Sequence, residues 1–333
     1  MTGTRRGALR ARARTLVALS ATVSLVVSAS GHAQVRRPPS GQWRLAWRDE
    51  FTGPAIDTTR WGFDLGNGFY ADSGRTFVSG WGNNELQCYT RSSENAYVRD
   101  GALHVRALQT PGGACAYSSA RLKSRRADGT PLFAQRYGRF EFRAKLPVGR
   151  GLWPALWMLP QDTTYGTWAA NGEIDVMEAR GQTPSTVLGT LHYGGRFPAN
   201  THTTVDYILP RGGSIADFHV YAVEWEPGRL RFLVDDVAYQ TQRFWWSSGR
   251  RDSNGGVPPT NEAEVHAWPA PFDRAFYLVM NLAVGGDFPG NPDTTTVFPA
   301  ELVVDFVRVY TRRRGVGALA PRGPGRLPLV TPR

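Results

Sequence analysis

Three carboxylates stand close together near the middle of the chain, in the segment NGEIDVMEARG that runs from Asn171 to Gly181. In a β-strand alternate residues share a face, so Glu173 and Asp175 point the same way and Glu178 falls one step out of phase. A one-residue bulge at Val176 and Met177 restores the phase, and bulges gather beside active sites because they re-aim a side chain. Glu173, Asp175 and Glu178 then line one face, with Ile174 and the bulge residues turned inward. Two carboxyl groups about 5–5.5 Å apart are what retaining glycoside chemistry needs, one as nucleophile and one as acid/base. This reading takes Glu173 as nucleophile and Glu178 as acid/base. Asp175 holds one glutamate by a shared hydrogen bond and raises the pKa of the other by like charge. Order along the strand does not by itself separate the two glutamate roles. The rival reading is the solvated outer face of an edge strand. Against it stands the preceding run GLWPALWMLP (151–160), too rich in Trp for a charged outer surface.

The elements that must position these acids read as strands. Residues 139–146 (RFEFRAKL) alternate Phe140, Phe142, Ala144 and Leu146 with Arg139, Glu141, Arg143 and Lys145, the period-two pattern of a half-buried strand. Further strands are expected at 102–108, 186–192, 219–225, 230–234, 277–284 and 302–310. Turn signals separate them at Asp100-Gly101, Pro227-Gly228, Asp235-Asp236 and Gly285-Gly286. No long stretch has helical spacing, and there is no internal repeat. Many short strands with Gly and Pro turns mean a β-sandwich or barrel. The span 43–311 is expected to be one sandwich with enlarged loops. The longest irregular segment, 247–271, either rims a cleft or is a neutral insertion.

The 333 residues, 41% of them hydrophobic, suffice for one large core or two small ones. Thirty-nine basic residues face 28 acidic ones, but five arginines lie in residues 1–33 and six in 311–333, where there are no acids. The body is therefore neutral, whereas a nucleic-acid protein would carry its positive charge on a folded surface. Residues 1–33 combine a basic start, an apolar run at 15–27 and a small-residue exit, as a secretory signal peptide does, with cleavage expected near Ala33. That run is short of the roughly 20 residues a spanning helix needs, so no membrane association is expected after cleavage. Residues 34–42 read as a linker, and 312–333, rich in Gly, Pro and Arg, as a disordered basic tail. An extracellular or periplasmic location follows. The two cysteines, Cys88 and Cys115, are expected to be bonded in an exported protein, with a buried free pair as the alternative. They are too few for a four-thiolate zinc site.

Glu173-Ile-Asp175-Val-Met-Glu178 resembles the E-x-D-x-x-E signature of glycoside hydrolase family 16. Its flanks resemble the laminarinase-like branch of endo-β-1,3-glucanases. They are GWGNNELQ with Trp81, Asn84 and Glu85, YSSARLK with Arg121, YGRFEFR, LWPALWM with Trp153 and Trp157, LHYGG with His192, NLAVGG, and DFVRVY from Asp305 to Tyr310. The resemblance spans about 45–311. It implies an all-β, concanavalin A-like jelly-roll sandwich of two curved antiparallel sheets, a glycan lying along the concave face, and the retaining mechanism with the first glutamate as nucleophile. The partner implied is a β-1,3-glucan polysaccharide, with mixed-linkage β-1,3-1,4-glucan also accepted, and the protein acts as a monomer. Trp153, Trp157 and Trp168 match sugar-stacking positions, where pyranose C–H groups pack on an aromatic face. Asn84, Arg121 and His192 match positions that contact glucose hydroxyls. The chemistry requires no cofactor. A structural calcium on the convex face would use Glu50, a backbone oxygen near Gly101, and Asp305, with water completing the six or more oxygens. Three features depart from the common pattern: Cys88 in place of an aromatic, Asp287-Phe288 in place of an Asn-Trp pair, and the length of 247–271. The alternatives are hydrolysis or transglycosylation of another β-glycan (agarose, carrageenan, xyloglucan), a non-catalytic β-glucan-binding protein, and a wall protein held by its basic tail. The three acids argue against the non-catalytic reading.

Overall fold

Alternating apolar residues and tight turns produce nineteen strands among the described residues. The computed structural model describes residues 42–71, 74–250 and 257–313, together with Gly3. Two compact units are distinguished, Met1–Arg37 and Pro38–Arg333. Only Gly3 of the first is described, so the expected signal peptide at 1–33 and most of the linker at 34–42 lie outside the described residues. So does the tail beyond Arg313. Among the described residues no helix is long and apolar enough to cross a membrane.

Strands are numbered in chain order. One sheet runs, in spatial order, β14 (Asn200–Ile208), β13 (Thr186–Gly194), β12 (Glu173–Glu178), β11 (Leu152–Pro160), β18 (Phe276–Val284), β9 (Arg121–Lys123) and β2 (Gly62–Asp64). The other runs β17 (Val237–Gln242), β16 (Arg229–Val234), β15 (His219–Glu226), β10 (Gly138–Lys145), β19 (Ala300–Arg312), β7 (Ala102–Gln109), β8 (Tyr117–Ser119) and β5 (Gln87–Tyr89). On this outer sheet β1 (Trp43–Asp49) pairs with β19 and β6 (Ala96–Arg99) with β7. A separate ribbon joins β3 (Gly68–Ala71) to β4 (Thr76–Ser79). Phe140, Phe142, Val223 and Val307 of the outer sheet share one core cluster with Leu156, Ile174, Leu191 and Met280 of the inner sheet. The architecture is a jelly-roll β-sandwich, all-β as the alternation implies. Cys88 and Cys115 are bonded, with Cα atoms 5.6 Å apart.

The expected half-buried strand at 139–146 is buried on both faces. Arg139 is 1% exposed, because β10 lies between β15 and β19 and its guanidinium pairs with Glu141, Asp236 and, at 2.9 Å, Glu224. A buried charge survives when such partners compensate it. Several strands escaped the alternation, β14 and β11 among them. β14 presents mostly polar residues to solvent, and β11 is apolar on nearly every position.

Candidate active site

The acidic segment forms β12, an interior strand of its sheet, with β11 on one side and β13 on the other. Against β13, Asp175 pairs with Thr190 and Glu178 with Leu188, so three steps on β12 oppose two on its partner. That is the bulge at Val176 and Met177. Ile174, Val176 and Met177 all enter the core cluster. Each such buried side chain contributes about 1.5–3 kcal/mol, which fixes the register and leaves Glu173, Asp175 and Glu178 together on the opposite face. Gly172, at φ +83, precedes the strand, and a Cβ there would meet Pro271 Cγ at 2.9 Å and Phe272 Cε1 at 3.0 Å.

An indole meets each glutamate. Trp168 Nε1 donates to Glu173 Oε2 at 2.9 Å, and Trp153 Nε1 donates to Glu178 Oε1 at 3.0 Å. His192, opposite Glu173 in the ladder, brings Nε2 to 3.2 Å from Asp175 Oδ2 and 3.8 Å from Glu173 Oε1. Burial pushes Glu173 up to about 8, and the neighbouring Asp175 charge adds to the shift. Asp175 lies well above the usual aspartate range, through burial first and the Glu178 charge second, against a hydrogen bond with Glu173. Glu178 is raised by burial, against His192, the Trp153 indole, Arg180 and Thr190. A cluster so desolvated binds protons that isolated carboxyls would release.

The remaining expected residues divide into two groups. Trp153, Trp157, Trp168 and His192 surround the acids. Trp157 is opposite Asp175 in the ladder and donates from Nε1 to Asn281 Oδ1 at 2.7 Å. Arg121 sits one layer further out, its guanidinium over the rings of Trp157 at 4.6 Å and Trp81 at 4.8 Å, and pairs with Asp64 at 3.1 Å. Asn84 lies away from the acids' own contacts, its amide on both oxygens of Asp287.

Sequence reasoning passed over several neighbours. Asn281 links Trp157 to the Tyr89 hydroxyl at 3.0 Å. Thr190 lies beside Glu178, and the His202 ring sits tilted against His192 at 5.5 Å. Phe288 packs on Trp153 at 4.9 Å, with the Arg180 guanidinium over the Phe288 ring at 3.9 Å. For Asn281, Thr190 and His202 the signal is cross-strand register, which sets them opposite Ala155, Asp175 and His192; Phe288 lies in a loop, where no register marks it. The 247–271 segment, of which 251–256 lie outside the described residues, buttresses the turn that carries Trp168. Ser247 Oγ donates to the Ala170 carbonyl at 2.5 Å, and His266 packs on Tyr165 at 4.9 Å.

The calcium ligand set has other partners. Both Glu50 oxygens accept from Arg308 Nε and Nη2 at 2.8 Å, and Asp305 Oδ2 accepts from Arg143 Nη1 at 2.7 Å. A calcium ion between Glu50, the Gly101 carbonyl and Asp305 would have to displace two guanidinium groups, so this arrangement does not fit the ion.

A jelly-roll sandwich with indole-held glutamates on one sheet defines the chain as a β-sandwich glycoside hydrolase. It belongs to family 16 of the glycosyl hydrolases, which residues 83–251 match. A beta-glucanase of Rhodothermus marinus is 41% identical over 302 residues, covering 86% of this chain and 92% of that protein. Glucan endo-1,3-beta-glucosidase A1 of Niallia circulans is 43% identical over 285 residues, 82% of this chain but 38% of the longer relative. The X-ray structure of the laminarinase from Rhodothermus marinus superposes with a TM-score of 0.65 at 40% identity, over 81% of this chain and 98% of that one.

Proposed function

We propose that the protein is a secreted, retaining endo-β-1,3-glucanase acting on laminarin-like glucan and, through the same cleft, on mixed-linkage β-1,3-1,4-glucan. The observation that carries the reading is the shared face of Glu173, Asp175 and Glu178, with an indole N–H on each glutamate. Asp175, held well above the usual aspartate range by burial and the Glu178 charge, shares a hydrogen bond with Glu173. When Asp175 carries the shared proton, the like charge that adds to the burial of Glu173 is gone, and the Trp168 indole favours the ionised form in which Glu173 acts as nucleophile. Glu178, raised by burial, begins protonated as the acid.

In the first step Glu173 attacks the anomeric carbon while Glu178 gives its proton to the departing glycosidic oxygen, forming a glycosyl ester and freeing one chain end. In the second, Glu178 takes a proton from water as that water attacks the same carbon. The ester breaks and the original configuration returns. Trp153, Trp157 and Trp168 offer ring faces to the sugars, while Asn84, Arg121 and His192 orient hydroxyls or the residues that do. Nothing in this scheme needs a cofactor, a second subunit or nucleic acid.

Reducing-sugar release from laminarin by the wild type and Glu173→Gln, side by side, tests the reading. Release by the wild type alone is expected. Equal release by both removes Glu173 from the nucleophile role. No release by either, with release on agarose, moves the substrate to a galactan.

A further inference from the structure

Glu173 Oε1, Asp175 Oδ2 and His192 Nε2 form a compact donor set whose ligand atoms all lie within 4.8 Å of one another. Zinc binds imidazole nitrogen and carboxylate oxygen at about 2.0–2.2 Å, which places neighbouring ligands of a tetrahedron about 3.4 Å apart. The separations here, 3.2 Å from His192 Nε2 to Asp175 and 3.8 Å to Glu173, bracket that edge. A second observation points to a ligand. Asp175 is 3% exposed, and its Oδ2 is buried, faces the His192 ring and receives no hydrogen bond. Trp168 holds Glu173 through the other oxygen, Oε2, so Oε1 is the one turned toward the histidine.

We propose that Glu173, Asp175 and His192 form a binding site for a zinc-class divalent transition-metal ion, and that the bound ion blocks the cleft. The inhibitory half rests on the functional reading above; the binding half does not. The ion displaces the proton shared by Asp175 and Glu173 to solvent, so that two carboxylates offset its charge, and the imidazole selects a borderline metal over calcium or magnesium, which prefer oxygen ligands alone. Water takes the fourth position. The site is reversible rather than structural. His192 Nδ1 is buried without a hydrogen-bond partner, and a metal-bound histidine without such support loses about 10–100-fold in affinity. Occupied, the ion takes Glu173 Oε1 and so removes the nucleophile's attacking oxygen.

The test is isothermal titration of zinc chloride into untagged, metal-free protein, beside calcium and magnesium chloride at the same concentrations. One zinc site, no heat from calcium or magnesium, and competition by laminarin are expected. Asp175→Asn and His192→Ala, each checked for folding by circular dichroism, should weaken zinc by about tenfold or more. Absence of zinc binding to the wild type in the millimolar range overturns the proposal, as does affinity unchanged in both folded variants or undisturbed by laminarin at concentrations that saturate the cleft. Zinc binding by a protein that hydrolyses no laminarin keeps the site and sinks the functional reading instead. Hydrolysis without zinc binding does the reverse.

Discussion

Glu178 and Glu173 are chemically alike, yet their replacement should separate cleanly. Glu178→Gln removes the proton donor and should lower kcat on laminarin by about 10²–10⁴-fold. It should spare the first step on an aryl laminari-oligoside, whose leaving group needs no proton. Glu173→Gln should abolish turnover of both, and steady-state kinetics on the two substrates reads the difference. The same residue links pH to stability. Its carboxyl titrates at 4.5 when unperturbed and at about 8 in the fold. Because the folded value is raised, the stability tied to the protonated form is complete below pH 4.5 and is lost as pH rises through about 8. Glu173→Gln removes that titration, so its melting temperature should gain on the wild type from acidic to alkaline buffer. A constant difference across that range would contradict the shift.

At the scale of the element, β12 owes its function to two features, the glycine before it and the bulge inside it. Gly172→Ala forces a Cβ onto Pro271 and Phe272 at a left-handed backbone position. It should cost about 1–3 kcal/mol, read by urea denaturation, and should also lower kcat by displacing Glu173. The bulge was legible in the sequence because an acid out of phase with two others demands it, and the apolar residues between them had to face a core. Alternation likewise exposed β7, β10, β13, β15, β16, β18 and β19. It failed where burial and polarity part company. Arg139 reads as solvated, but its charge is compensated by Glu141 two residues on and by Glu224 and Asp236 far along the chain. β14 carries no apolar stripe because it is the edge strand of its sheet and none of its residues is fully buried. Asn281, in the quoted NLAVGG flank, and Phe288, in a noted departure from the pattern, were given no role for a related reason: their value lies in what they touch, Trp157 and Trp153, and no local pattern encodes that.

At the scale of the whole molecule, the shared core and one covalent link hold the sandwich together. The Cys88–Cys115 bond closes a separation of 27 residues, a loop whose cross-link contributes about 3 kcal/mol in the chain-entropy account. Reduction should shift the denaturant midpoint accordingly. Chelation with EDTA should leave the melting temperature unchanged, since Arg308 and Arg143 already hold Glu50 and Asp305. One further contact sets how the sandwich can be rewired. Trp43 pairs with Arg312 across β1 and β19, and the Arg313 amide donates to the Gln42 carbonyl at 2.8 Å. The two ends of the folded body are therefore neighbours on the sheet opposite the acids. A peptide of a few residues would close the body into a ring, and a new opening could be cut at a surface loop without lengthening any path to the cleft. The catalytic face is in that sense independent of where the polypeptide starts.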